Sequence, residues 1–175
     1  MRSKRGIVGV CGIVCIVSMT ACRAPNSRVI EMDVDGAGFP LLTAEAFKMT
    51  KADVTQYGGA ASKREACDFV VAPARIAPGV EITLEPGLEA GVAWGPDERV
   101  FYVSTRDARV RYSGLGVGSR YCDVRNKLSA PRIVPWVGYG TLVEIAPCIW
   151  LAFGTLDKPL GEQDQAAWIE VRNDL

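Results

Sequence analysis

Apolar and polar residues alternate with short periods over most of this chain, broken by frequent turn signals. Val80, Ile82 and Leu84 alternate with Glu81 and Thr83, the two-residue period of a half-buried strand. Pro86-Gly87 ends that run, and 91–94 predicts its return strand, closed by Gly95-Pro96-Asp97. Further strands are predicted at 67–72, 100–105 and 108–112, then at 141–145, 149–153 and 167–171. Pro147-Cys148 marks a turn between two of these, and 157–165 reads as a longer loop. Ile30, Met32 and Val34 alternate with Glu31, Asp33 and Asp35, which predicts a half-exposed first strand ending at Gly36 and Gly38.

Helical signals are fewer. Residues 41–49 are weakly helical. Thr50-Lys51-Ala52-Asp53 has the spacing of an N-cap with an acid at N3, opening a short helix that stops at Gly58-Gly59. Ser119 is placed to cap a helix over 120–128, and 130–135 reads as a proline-marked connection. Each half of the domain, 29–105 and 106–175, thus reads as a helix followed by antiparallel strands. The expected class is α+β: short helices packed on an antiparallel sheet, as two αβββ repeats sharing one core. Trp94, Trp136, Trp150, Trp168, Phe69, Phe101 and Phe153 are the expected core anchors.

The first 22 residues follow a different pattern. Arg2, Lys4 and Arg5 precede an uncharged, apolar run too short for a spanning helix, the form of a secretory signal. The run ends Met19-Thr20-Ala21-Cys22, which resembles a bacterial lipobox. That resemblance implies cleavage after Ala21, diacylation of the Cys22 sulfur and acylation of the new amino terminus. Val10 and Val14 make Cys11 and Cys15 poorer sites. Residues 1–21 then form a signal peptide, 22–28 a lipidated tether, and 29–175 one compact domain. Multiple acyl chains anchor stably. Arg23, where an aspartate would suggest inner-membrane retention, favours the periplasmic face of the outer membrane, with the inner membrane as the other possibility. The 20 basic and 20 acidic residues balance, but cleavage removes three cations and no acid, so the exported chain is slightly acidic.

Composition removes several chemistries. The chain has no histidine, which excludes Ser-His-Asp and Cys-His catalysis and His-ligated zinc. Cys67, Cys122 and Cys148 would remain after export and lipidation. An oxidising envelope allows one disulfide among them, with the pairing open; the alternative is three buried, reduced cysteines. The absence of a C-x-x-C pair argues against zinc ribbons and thioredoxin-type chemistry. Asp33-Val-Asp-Gly begins like a calcium loop, but Ala44 stands where the bidentate glutamate belongs, so these acids read as a strand's wet face. Gly114-Leu-Gly-Val-Gly-Ser119 has Ser119 where a dinucleotide loop needs glycine, and it lacks the G-K-[ST] of a P-loop. No catalytic residues, metal or cofactor are therefore expected.

Gly116-Val-Gly-Ser-Arg-Tyr-Cys-Asp-Val-Arg-Asn-Lys-Leu128, with a fainter copy over 50–57, resembles a motif of the SmpA/OmlA (BamE-like) small outer-membrane lipoproteins. The resemblance implies helices on a three-stranded antiparallel sheet and a role in binding rather than catalysis. Between Arg99 and Arg132 cations outnumber acids. Arg106, Arg109, Arg111 and Arg120 are the candidate partner-binding residues, suited to an acidic envelope protein or anionic lipid rather than nucleic acid. The same segment also suits a solvated face balanced by acids from elsewhere. The expected function is that of a noncatalytic, lipid-anchored envelope protein that binds a partner. The alternative is an inhibitor or immunity lipoprotein that inserts the 157–165 loop into a toxin or lysozyme-like enzyme.

Overall fold

The computed structural model describes residues 29–32, 39–57, 64–136, 139–154 and 158–175, with backbone alone for Glu31, Met32, Arg64 and Glu65. Cys22, the signal segment, the tether, Asp33, Asp35, Gly58-Gly59 and the start of the 157–165 loop lie outside the described residues.

The alternating segments form long strands that join one sheet. These are β2 (Arg64–Ala72), β3 (Arg75–Glu85), β4 (Leu88–Trp94), β5 (Val100–Thr105), β8 (Ile133–Trp136), β9 (Gly140–Ala146), β10 (Ile149–Phe153) and β11 (Ala166–Arg172). Their spatial order is β2-β3-β4-β5-β11-β10-β9-β8, and every pairing is antiparallel. The strands β2–β5 form one four-strand meander and β8–β11 another. The two join through β5 and β11, with Val103 opposite Val171. A second, small sheet comprises β1 (Ile30–Met32), β6 (Val110–Tyr112) and β7 (Leu115–Gly116); β1 runs parallel to β6.

This is a mainly-β fold built on an eight-stranded curled half-barrel, which corrects the α+β expectation. The reason is the small size of the helices. Helix α1 (Lys51–Gln56) buries Val54, and α2 (Tyr121–Lys127) buries Val124. Residues 41–49 are two 3-10 turns, Pro40–Leu42 and Ala44–Lys48. Such short pieces cannot cover a sheet of this width. They close one patch of it, where Leu41, Leu42, Ala46, Val54 and Val124 pack with Val80, Ile82, Val92, Leu151 and Ile169. The 130–135 segment, expected as a connection, contributes β8; its Pro135 is tolerated because β8 is an edge strand.

Local signals mostly operate as their chemistry requires. Thr50 accepts from the Asp53 amide at 3.3 Å, and the Asp53 carboxylate accepts from the Thr50 amide at 2.8 Å, a complete capping box. Gly87 supplies the positive φ of 78° needed after Pro86 in the β3–β4 turn. Ser119 departs from expectation. Its hydroxyl accepts from the Gly116 amide at 3.0 Å and stabilises the glycine loop, while α2 has no side-chain cap. The first amides of α2 are satisfied across space instead: Tyr121 donates to the Asp164 carbonyl at 2.9 Å and Cys122 to the Glu162 carbonyl at 3.0 Å.

The other face of the large sheet lines the inside of the curl. Residues of β11 point there alternately, placing Trp168, Glu170 and Arg172 in a row. The Glu170 and Arg172 side chains are 0% and 1% exposed. Arg172 Nη1 donates to Glu170 Oε2 at 2.9 Å, its Nε donates to Asp174 Oδ1 at 2.8 Å, and its Nη2 donates to the Val71 carbonyl at 2.6 Å. The guanidinium also lies 5.6 Å from the Tyr102 ring centre and 5.5 Å from that of Trp136. Val71 belongs to one edge strand and Trp136 to the other. One side chain in the middle of the sheet thus holds both edges.

Thr50→Ala removes the side-chain half of the capping box and is expected to lower stability by about 1 kcal/mol, seen as a lower urea midpoint with an unchanged slope. Arg172→Met leaves the Glu170 carboxylate buried without its cation and is expected to cost about 3–5 kcal/mol. Adding Glu170→Gln to that variant should recover part of the loss; an equal or larger loss would show that the pair does not act as a unit.

Candidate functional site

A cavity of about 540 Å³ opens inside the curl, beside the Glu170–Arg172 pair. Two groups of rings line it. Phe69 and Tyr102 stand on the β2–β5 side, with ring centres 6.1 Å apart. Trp136 and Trp168 stand on the other, 6.4 Å apart, and Tyr139 packs on Trp136 at 5.2 Å. The space between them exists because β3 and β4 carry Gly79 and Gly91 beneath Phe69. A Cβ at either position would overlap its ring. Four of the seven aromatics expected as core anchors, Trp94, Trp150, Phe101 and Phe153, are buried in the described core, whereas Phe69, Trp136 and Trp168 also line the cavity.

Behind the rings of Tyr102 and Trp168, which line the cavity, lies an internally bonded polar group. Glu170 Oε1 accepts from Trp168 Nε1 at 2.6 Å and from the Tyr102 hydroxyl at 3.3 Å. Burial pushes the Glu170 carboxyl above its usual range, while Arg172 and these donors pull it back. Burial likewise pushes the Tyr102 phenol up, and the Glu170 charge adds to this, so Tyr102 stays a neutral donor. Around the mouth stand Glu81 of β3, Glu89 of β4, Ser104 of β5 and Arg106, which follows β5. The Arg106 guanidinium sits 6.0 Å from the Trp168 ring centre. Among the described residues there is no group of three or more Cys, Asp or Glu side chains placed to share a metal ion.

The four candidate arginines do not form one open patch. Arg109 is held by Asp107 Oδ2 at 2.6 Å and Glu85 at 3.4 Å. Arg111 in β6 donates to the Ser119 hydroxyl at 3.1 Å. Arg120 pairs with Asp123 at 3.0 Å. Arg106 alone of the four reaches the cavity. Within 99–132, Arg109, Arg120 and Arg125 pair with carboxylates, whereas Arg106 and Arg132 lie over tryptophan rings and Arg111 donates to a hydroxyl. Sequence reasoning missed Glu81, Glu89, Ser104 and Tyr139 as cavity residues. Their only signal was their place on the polar side of alternating strands or in a turn.

The 158–165 part of the loop is clasped to the start of α2. Besides the two carbonyl bonds, Arg125 pairs with Glu162 at 2.5 Å, and Asp164 accepts from the Gly161 amide at 2.6 Å. Cys67, Cys122 and Cys148 lie on β2, α2 and the β9–β10 turn, and no disulfide links them to one another. No helix among the described residues is long and apolar enough to cross a membrane.

No family model matches the sequence. No curated protein matches it. Among solved structures, the uncharacterised protein YfeY from Escherichia coli resembles this chain with a TM-score of 0.47 and 14% identity, over 75% of this chain and 93% of that one.

The Asp107–Arg109 pair provides a pH test of the arginine segment. Burial alone would raise the Asp107 carboxyl, but the hydrogen bonds and charge of Arg109 outweigh it and hold it below the ordinary 3.8. A depressed value stabilises the fold above that pH, and the gain disappears as pH falls through the lowered value. The stability difference between the parent and Asp107→Asn is therefore expected to shrink as pH is lowered from about 6 to about 3, read by urea unfolding. A difference independent of pH would remove the pair from this role.

Proposed function

We propose that this chain is a lipid-anchored protein of the bacterial cell envelope, held through Cys22 at the periplasmic face of the outer membrane, which binds a partner without catalysing a reaction. The address rests on the basic, apolar and Ala21-Cys22 pattern of the first 22 residues. The observation that carries the binding reading is the cavity inside the curl. Its walls are aromatic rings, the residue type that dominates binding hot spots, and two of them, Tyr102 and Trp168, are held from behind by hydrogen bonds to Glu170. Rigid aromatic walls with a few polar groups at the mouth suit recognition of a ligand.

The start of the described chain supports the same reading. Ile30 opens β1, and its amide donates to the Arg109 carbonyl at 2.8 Å. The stretch from Cys22 to Ile30 spans at most about 30 Å when fully extended, so an anchor at Cys22 keeps the domain close to the bilayer. The partner is then an envelope protein or a headgroup-bearing component within that reach.

Cys22→Ala is expected to abolish incorporation of a fatty-acid analogue and to release the chain from the membrane fraction. Unchanged labelling would sink the lipobox reading. Cross-linking the mature protein in intact cells, followed by mass spectrometry, should recover a reproducible envelope component. Recovery of none, together with turnover of a glycan or ester by the purified chain, would replace the binding reading with a catalytic one.

A further inference from the structure

Charges of both signs stand at the mouth of the cavity without an oppositely charged partner among the described residues. The Glu81 and Glu89 carboxylates make no ion pair or hydrogen bond among the described residues. Arg106 meets no carboxylate there and lies over the Trp168 ring. A simple cation entering this space would face Arg106, and a simple anion would face the two glutamates and Asp68. An uncharged ligand rich in hydroxyls faces neither penalty, because a hydroxyl donates to a carboxylate and accepts from a guanidinium. The rings impose a second requirement. Trp136, Tyr139 and Trp168 on one side and Phe69 on the other line the cavity with aromatic surface. A pyranose ring meets both conditions, with C–H groups on its faces and hydroxyls around its rim. The volume of about 540 Å³ falls within the roughly 300–1,000 Å³ of small-molecule sites and exceeds what one sugar ring fills.

We infer that the curled sheet encloses a saccharide-binding site that takes a neutral pyranoside of one or two rings. The sugar stacks against Tyr139 and Phe69. Glu81 and Glu89 accept hydroxyl hydrogens, and Arg106 donates from its place over Trp168. The glycines beneath Phe69 keep the floor low enough to admit the ring. The site needs neither the lipid at Cys22 nor a protein partner, so it goes beyond the anchored-binder reading.

The test uses the full chain, purified in a detergent without a sugar headgroup. Maltose, cellobiose and chitobiose are titrated while tryptophan emission is followed, since Trp136 and Trp168 line the cavity. Tetramethylammonium and inorganic phosphate are run alongside. At least one disaccharide is expected to shift the emission saturably, with a Kd of about 1 mM or tighter. Tyr139→Ala, Glu89→Gln and Arg106→Gln change exposed side chains, so the fold should persist, seen as an unchanged thermal midpoint. Each should weaken that disaccharide by about tenfold or more. The inference is overturned if no disaccharide gives a saturable shift, if tetramethylammonium or phosphate alone does, or if binding is the same in all three variants. None of these results alters fatty-acid labelling at Cys22 or the cross-linking outcome, so failure of the site and failure of the anchored-binder reading are separately visible.

Discussion

The Arg172 guanidinium, buried inside the curl of the sheet, is the constraint on which the rest of the molecule turns. A cation in that position costs several kcal/mol unless it is paired and fully hydrogen-bonded. Glu170 supplies one acceptor because residues two apart on a strand share a face. It cannot supply the rest. The remaining contacts come from Asp174, which follows β11, from the Val71 carbonyl on one edge strand, and from the Trp136 ring on the other. A flat sheet would hold those edges several strands away. Curling brings them to the same group, which lies between Tyr102 of the apolar cluster around Val71 and Ala93 and Trp136 of the cluster around Trp150.

The same curvature explains the minor role of the helices. A sheet that folds over one of its own faces needs covering on the other face alone. There two 3-10 turns, two short helices and the β1–β6–β7 sheet suffice, tied together by contacts such as the Tyr112 hydroxyl donating to the Leu42 carbonyl. Helix α2 stands beside the 158–165 loop because its exposed amides need acceptors and the loop carbonyls provide them. The loop and the helix therefore order each other.

The cavity is a consequence of how the curl is filled. Toward Arg172 the interior is packed with rings and a satisfied ion pair. Toward Glu81, Glu89 and Arg106, two glycines replace side chains, and the rings stand apart instead of interdigitating. The aromatic side chains there serve both the core and the cavity surface. Trp168 shows this directly: its indole N–H is tied to Glu170, while one ring face lies beside Arg106 at the mouth. Rigid rings held by internal bonds are preorganised for binding, which reduces the ordering cost of a ligand.

By itself, the sequence determined most strand positions. The segments at 100–105 and 149–153 coincide with β5 and β10, and the Pro86-Gly87 turn and Thr50 capping box form as their local chemistry requires. These depend on period, turn residues and contacts within a few positions, all of which are written in order along the chain. Fold class and site were different. The α+β expectation weighted each short helix as a layer, and nothing local reveals that eight strands will join one sheet or that it will curl. Likewise, Ser119 carries the chemistry of a cap but bonds the glycine loop, because distant carbonyls had already taken the helix amides. Glu81, Glu89, Arg106, Tyr139 and Trp168 become neighbours of one cavity only when strands from both halves of the chain close around Arg172. Tertiary structure decided that, because the acceptors that satisfy a buried guanidinium lie as far as 101 residues away along the chain.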